Sequence, residues 1–406
     1  SGCAATYAIT RGVPRFVGND GYVGSFSYEW NKWNRVQLDI ANGGRESEDT
    51  FMEKTGFTQA DLGGKVVLDV GCGAGRFLDV ASRWGARTIG IDFSFAVEAS
   101  QRNVGDRPNV DVIQADVFRL PFKDEVFDVI FSLGVLHHTR DTQEAFLSLP
   151  RHLKADGEIA VWLYYYTDKV YNAASDFWRW TFRHMPHKVT YAFCWLIVAL
   201  FSDLFRMPFM QKLPWAHFRR ILPVNTHDQW SWRVLDTFDW ISPRYQDKDC
   251  SPERVIGWCH SADLRDVEIL SFPTSIRARK DEQRKLPLVK HLPDLGAQRL
   301  VVFGASAAGK LAFEQLDKLG VRAQVVAVVD NDPAKAGTIF EGHEVCAFST
   351  LPRDTYDRVI IASQFGLPAI SQQLTEEGLV ERRDFMSLAA VENMAPLMRL
   401  VAQMQA

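Results

Sequence analysis

From Lys65 onward, short runs rich in valine and isoleucine alternate with stretches whose apolar residues recur at helical spacing. The runs at 65–70, 87–92, 110–114, 126–132 and 157–164 predict strands, and the segments 75–84, 94–104 and 141–153 predict helices. Strand and helix in turn argue for an α/β fold with a doubly wound, mostly parallel sheet. In "SPERVIGWCHSA", Ser251 stands as N-cap, Pro252 in the first helical position and Glu253 in the first turn, so a helix is expected there. The strands "VEILSF" and "SIRARK" then complete the same sheet.

Between these parts lies an insertion rich in Trp and Phe, 166–248. Its segment Val189–Ser202, "VTYAFCWLIVALFS", carries no charge, and its 14 residues fall short of a bilayer span, which takes about 17–25. Two readings stand: a helix buried in the protein or covering a site, and an interfacial helix making peripheral membrane contact through 189–209. A charged, proline-containing stretch over 281–298 reads as a linker. Beyond it the alternation restarts, with strands at 299–303, 324–329 and 357–362 and helices at 306–319 and 367–377. The expected organisation is a lead-in over 1–60, a sheet domain over 61–280 holding the insertion, and a second, smaller Rossmann-like α/β domain over 299–406.

A chain of 406 residues, 47% of them hydrophobic, has material for more than one core. Its net charge of -4 offers no basic field for phosphates, so nucleic acid is not expected among the partners. Six cysteines in this length do not make a disulfide framework. The opening "SGCAATYAIT" lacks a basic start followed by an apolar run, and a cytoplasmic setting is expected.

The chemistry gathers at the first glycine turn. In Asp69-x-Gly71-x-Gly73-x-Gly75 the glycines turn the backbone tightly and keep Cβ atoms out of a ligand's way. A pyrophosphate site favours G-x-G-x-x-G. Here the third glycine comes one residue early and an acid precedes the first, which suits a ligand bearing an ammonium group. Asp92 ends the next strand, where an acid accepts from ribose hydroxyls. Asp116 follows the third strand, placed to accept from the exocyclic amine of adenine. A nucleoside without phosphates, joined to an amino acid, is S-adenosylmethionine.

The motifs "VLDVGCGAGRF", "IDFS", "ADVFRLPFKDEVFDVIFSLGVLHHT" and "HLKADGEIAVWLY" resemble, in succession, those of the class I S-adenosylmethionine-dependent methyltransferases. The resemblance covers 20–165 closely and extends more loosely to about 280. It implies that Gly71, Gly73 and Gly75 line the methionine moiety, with Asp69 near its amino group. It also implies Asp92 at the ribose and Ala115 and Asp116 at the adenine, with Cys72, Phe93, Val117 and Leu133 completing the cofactor site. "LGVLHH" would close the fourth strand beside the transferable methyl. Where relatives carry "KPGG", this chain has "KADG", a turn without its proline. The lead-in "RGVPRFVGNDGYVGSFSYEWNKW" also resembles that of such enzymes, in which a zinc ribbon often precedes it. Cys3 has no second cysteine pair nearby, so no metal site is expected. Tyr28, Trp30 and Trp33 either cap the cofactor or pack the lead-in against the sheet.

Methyl transfer to a hydroxyl gains from positioning and from a base. His137 and His138 follow the fourth strand, and either serves as base or shapes the loop. His227 is a rival, in "NTHDQWSWRVLDTFDWISPRYQ", where Asp228, Arg233, Asp236, Asp239, Arg244 and Tyr245 accompany three tryptophans. Aromatic faces beside carboxylates suit a sugar ring, and equally a packed lid. The expected activity is methyl transfer to a small molecule, a sugar, nucleotide-sugar or glycolipid-type hydroxyl. The alternative is a nucleotide- or nucleotide-sugar-binding protein, or an NAD(P)-dependent oxidoreductase, working through the second domain. There Gly304 to Lys310 keeps dinucleotide-like spacing with Ser306 in place of the middle glycine, and Asp330 closes the next strand. That turn resembles small Rossmann-like modules of sugar-modifying enzymes and either binds a nucleotide or nucleotide-sugar or is a structural remnant.

Overall fold

A computed structural model describes residues 6–19, 21–166, 168–207, 221–270, 274–289, 295–363, 366–380, 384–388 and 391. The chain divides into two compact units, residues 1–290 and 291–406. Cys3 lies outside the described residues.

The first unit is built on seven strands: β1 (Val66–Val70), β2 (Arg87–Asp92), β3 (Val110–Gln114), β4 (Phe127–Leu133), β5 (Leu153–Leu163), β6 (Leu264–Ile269) and β7 (Thr274–Lys280). Their order is β3-β2-β1-β4-β5-β7-β6. β1 to β5 run parallel, and β7 is antiparallel to both β5 and β6. The central strands are apolar on both sides because both faces are covered, as parallel sheets require. The order reverses between β1 and β4, which opens a crevice at the carboxyl ends of those two strands.

Local sequence explains most boundaries. Helix α1 (Gly24–Lys32) belongs to the lead-in, and α2 (Arg76–Arg83) starts at Gly75, whose φ is +90°. Helix α3 (Val97–Val104) follows β2. Helix α4 (Thr142–Leu147) begins where the Asp141 side chain accepts from the Glu144 amide. It stops sooner than the apolar pattern suggests: Pro150 opens a tight turn and β5 starts at Leu153. The "KADG" segment therefore lies within β5, with Asp156 at φ +59° and a register shift against β4.

The insertion is helical: α5 (Lys169–Phe182), α6 (His187–Arg206) and α7 (Trp230–Ile241). The Asp168 carboxylate caps α5. Cys194 and Val198 of α6, Phe182 of α5 and Val234, Leu235 and Phe238 of α7 share one core with Trp33 of the lead-in. Helix α6 extends beyond the uncharged stretch to 20 residues. Among the described residues it is the helix long and apolar enough to cross a membrane, by length and composition, and 33% of its apolar window is buried. Cys194, Ile197, Val198 and Phe205 turn inward, while Trp195, Leu196 and Leu200 are exposed. The expected contact segment 189–209 runs past Met207, beyond which residues 208 and 209 lie outside the described residues. Helix α8 (Pro252–Ser261) is capped by Ser251, whose side chain accepts from the Arg254 amide.

Among the described residues the second unit has six strands, β8 (Leu300–Phe303), β9 (Val325–Val329), β10 (Ile339–Phe340), β11 (His343–Cys346), β12 (Arg358–Ile361) and β13 (Phe385–Ser387), in the order β10-β11-β9-β8-β12-β13. All neighbours are parallel except the edge hairpin β10–β11. Helix α9 (Ala307–Lys318) and helix α10 (Leu367–Glu376) flank this sheet, which has an apolar cluster on each side. The edge hairpin escapes a reading based on apolar runs, because its two-residue turn at Glu341 and Gly342 joins very short strands.

Candidate functional site

The crevice at the β1/β4 switch is a cavity of about 660 Å³. Its floor is the first glycine turn. Gly71 has φ +84°, and a Cβ there would lie 2.3 Å from Val135 Cγ1, so the turn tolerates no side chain. A Cβ on Gly73 would touch the Trp30 ring at 3.4 Å.

Asp92 ties this floor together. Its Oδ2 accepts from the Gly73 amide at 3.0 Å, and its Oδ1 accepts from the Ser94 amide (2.8 Å) and hydroxyl (2.6 Å). Burial raises its pKa against those hydrogen bonds. A carboxylate has about four acceptor positions, so one on Oδ2 is left over, and Asp92 lines the cavity. Asp69 sits behind the turn, 2% exposed, with Oδ2 unpartnered. Burial, then Asp92, pushes its pKa well up. Asp116 lines the cavity, its Oδ1 accepting from the Phe118 amide at 3.1 Å. Cys72, Phe93, Ala115, Val117 and Leu133 line it too, while Gly75 stays outside the lining as the start of α2.

The lead-in supplies a second wall. Trp30 lines the cavity, whereas Tyr28 and Trp33 pack on Phe238 of α7, each with ring centroids 5.6 Å from it. Tyr22, which the motif reading passed over, stacks on Phe93 at 5.6 Å and meets Tyr245 edge-on at 5.2 Å. Its hydroxyl is pushed up to about 12 by burial and by Asp116.

The three histidines part company. His138 lines the cavity, and its Nδ1 donates to the Tyr245 carbonyl oxygen at 2.9 Å, leaving Nε2 as an unpartnered acceptor. Burial lowers its pKa to about 3, so it is neutral and weakly basic near neutrality. His137 is fully buried outside the lining, stacked on Tyr164 at 3.8 Å, with neither ring nitrogen partnered. His227 also stands outside the lining: its Nε2 is 3.3 Å from Glu46, and its ring stacks on Trp232 at 4.4 Å.

The polar stretch around His227 separates likewise. Arg233 turns away to Asp203 at 2.6 Å, and Asp228 pairs with Arg206 at the surface. Asp236 and Asp239 line the cavity. Asp236 accepts from Asn225 Nδ2 at 2.8 Å, and burial together with Asp239 raises it to about 7. Burial raises Asp239 to about 6, with Arg179 acting against it, and its Oδ1 is unpartnered. Glu29 of α1 is fully buried near both, with neither oxygen partnered, and burial, then Asp239 and Asp236, pushes it well up. Nothing in "SYEWNKW" marks Glu29 except an acid set between aromatic residues.

Residues 68–161, from the middle of β1 to the end of β5, match the family model for a methyltransferase domain. The chain carries a class I S-adenosylmethionine-dependent methyltransferase domain. This domain is 39% identical over 107 residues to the tRNA U34 carboxymethyltransferase of Marinobacter nauticus, covering 25% of this chain and 32% of that one. It is 32% identical over 111 residues to the human (Homo sapiens) probable tRNA methyltransferase 9B, covering 27% and 23%. An S-adenosylmethionine dependent methyltransferase from Mesorhizobium loti aligns at 26% identity and a TM-score of 0.24, covering 25% of this chain and 47% of that one. The matched stretch spans a third or less of these two curated relatives. The expectation that nucleic acid is not a partner is corrected by these relatives, one a tRNA carboxymethyltransferase and another a probable tRNA methyltransferase by name. Net charge averages over two units, whereas recognition of a nucleic acid is local.

S-adenosylmethionine is the cofactor of this methyltransferase class, and the site fits it. The side-chain-free turn at Gly71 and Gly73 and the carboxylates of Asp92 and Asp116 in the lining match a phosphate-free nucleoside joined to a positively charged amino-acid part, while Asp69 lies outside the lining.

Residues 296–384 match a second model, C2185-like, N-terminal. Here a Cβ on Gly309 would lie 2.1 Å from the Gly304 carbonyl oxygen, so α9 packs directly on its turn. Asp330, the expected ribose acid, is engaged internally. Its Oδ2 accepts from the Ala305 amide and from Lys335 Nζ, both at 2.8 Å, and its Oδ1 from the Asp332 amide at 2.9 Å.

Proposed function

We propose that the chain transfers the methyl group of S-adenosylmethionine to an acceptor held in the same cavity, under the helical insertion. One observation carries this reading. A single 660 Å³ space is lined at one side by Gly71, Gly73, Asp92 and Asp116, and at the other by Trp232, Asp236, Asp239 and Trp240 of α7. Such a volume is that of an ordinary small-ligand site, about 300–1,000 Å³. When bound, the cofactor supplies an electrophilic methyl carbon on a sulfonium. Asp92, Asp116 and the glycine turn would hold the nucleoside and amino-acid parts, with Arg76 at the start of α2 as a lining cation for a carboxylate. The helices of the insertion exclude water and orient the acceptor, which is where most of the acceleration of an in-line displacement comes from.

The acceptor in this reading is a small polar molecule, a sugar, nucleotide-sugar or glycolipid-type hydroxyl placed against the α7 wall. The tRNA relatives favour a second reading, in which one extruded nucleotide of an RNA enters the cavity. Calorimetry with S-adenosylmethionine, S-adenosylhomocysteine and a nicotinamide dinucleotide comes first, with binding of the first two alone expected. Transfer of labelled methyl to nucleotide sugars and to bulk tRNA then separates the acceptors. Absence of S-adenosylmethionine binding would overturn the proposal.

A further inference from the structure

The far end of the cavity holds more buried acid than the protein itself satisfies. Asp236 and Asp239 lie one turn apart on α7 and both line the space. Glu29 of α1 is buried close enough to feel both. Asp239 Oδ1 and both Glu29 oxygens meet no donor. The nearby cation Arg179 of α5 spends its Nε and Nη2 donors on the Trp240 carbonyl oxygen, at 3.1 and 2.9 Å. Around Asp239 stand Tyr164 and Tyr166, from the segment after β5, and Tyr171 of α5. Tyr164, Tyr166, Tyr171 and Trp240 also line the cavity. Unpaired buried carboxyls are costly, and of these acids Asp236 and Asp239 line the cavity, from which a ligand can supply donors.

Resting on the methyl-transfer reading, we propose that this end receives an uncharged or cationic acceptor group rich in hydrogen-bond donors, a hydroxyl- or amine-bearing ring, and that Asp239 takes the proton of the attacking group. The acceptor's O–H or N–H bond breaks and its proton passes to the Asp239 carboxylate, which lines the cavity. The freed lone pair forms the new bond to carbon, while the C–S bond breaks and leaves its electron pair on sulfur. A phosphate or carboxylate at this end would face Asp236 and Asp239, with Glu29 buried behind them. His138 lines the same cavity, but burial leaves it the weaker base.

The test uses the full chain saturated with S-adenosylhomocysteine and three probes, D-glucosamine, D-glucose and D-glucuronate, followed by saturation-transfer NMR. Glucosamine and glucose should bind and glucuronate should not. Asp239→Asn should weaken glucosamine by about 10- to 150-fold, the loss of a charge-assisted hydrogen bond, with S-adenosylhomocysteine affinity and melting temperature retained. Glucosamine affinity should fall as pH drops through about 7 to 6 in the wild type, and less steeply in the variant, where only Asp236 of the two lining acids still titrates. Glucuronate binding as well as glucosamine, no probe binding at all, or an unchanged Asp239→Asn variant each overturns the inference. Should Asp239→Asn melt early, Asp236→Asn serves as the second variant, since Asp236 lines the same end, and an unchanged glucosamine affinity there counts against the acidic pocket. Failure of S-adenosylhomocysteine to bind the wild type would instead sink the methyl-transfer reading itself.

Discussion

Asp92 accepts the Gly73 amide at 3.0 Å, so a carboxylate that lines the cavity also holds the glycine turn in shape. Asp330 does the same for Ala305 in the second unit, at 2.8 Å. The difference lies in what remains. Lys335 takes the further position on Asp330 Oδ2, while the corresponding position on Asp92 is open.

Removing that carboxylate separates its two tasks. Asp92→Ala should weaken S-adenosylmethionine by about 10- to 150-fold through the lost charged hydrogen bonds, and should also loosen the turn. Asp92→Asn keeps an acceptor oxygen and should lose less. Calorimetry of both variants checks the order, and equal affinity in all three proteins would remove Asp92 from the site.

At Gly71 the constraint is steric. Gly71→Ala sets a Cβ against Val135 in a backbone conformation at φ +84°, costing about 1–3 kcal/mol of stability. Adding Val135→Ala should recover the contact part of the loss and leave the backbone part. Urea denaturation of the single and double variants measures both.

The buried acids make stability depend on pH in a stated direction. Asp236 at about 7 and Asp239 at about 6 sit above their unfolded values, as does Glu29. The folded state therefore binds protons more tightly, and the stability they contribute is lost as pH rises from about 4 towards 7. His137 and His138 lie below their unfolded value, so their contribution is lost as pH falls below about 6.5. Glu29→Met should raise stability by about 1–4 kcal/mol at pH 8, with the gain shrinking towards pH 5. Melting curves at both pH values test it, and a gain independent of pH would mean that Glu29 is not the group involved.

In the second unit, Gly309→Val drives a branched side chain into the Gly304 carbonyl oxygen. It should destabilise that unit by about 2–4 kcal/mol and leave S-adenosylmethionine affinity unchanged. Gly73→Val should do the reverse, abolishing cofactor binding and sparing the second unit. Two-transition melting with calorimetry reads both variants. A parallel loss of cofactor affinity in Gly309→Val would tie the second unit to the site.

The strand and helix alternation, the glycine turn, the acids ending β2 and following β3, and the Ser251 cap were legible along the chain, because each rests on contacts within a few residues. Period, turn chemistry and capping are local physics, so they survive being read one residue after another. The pairing of Glu29 with Asp236 and Asp239 is not of that kind: α1 and α7 are some two hundred residues apart, and neither segment alone says that its acid is buried without a partner. The histidines show the same division. "LGVLHH" placed both at the end of β4, yet packing against Tyr164 and the Tyr245 carbonyl turned one into the core and left the other neutral at the cavity wall. His227 and its neighbours read as one polar constellation, and the helical twist of α7 separated them, burying Arg233 away from the cavity against Ser202 and Asp203 and setting Asp236 and Asp239 in the cavity wall. Charge and burial depend on what the rest of the chain brings alongside, and that is settled only when distant elements pack.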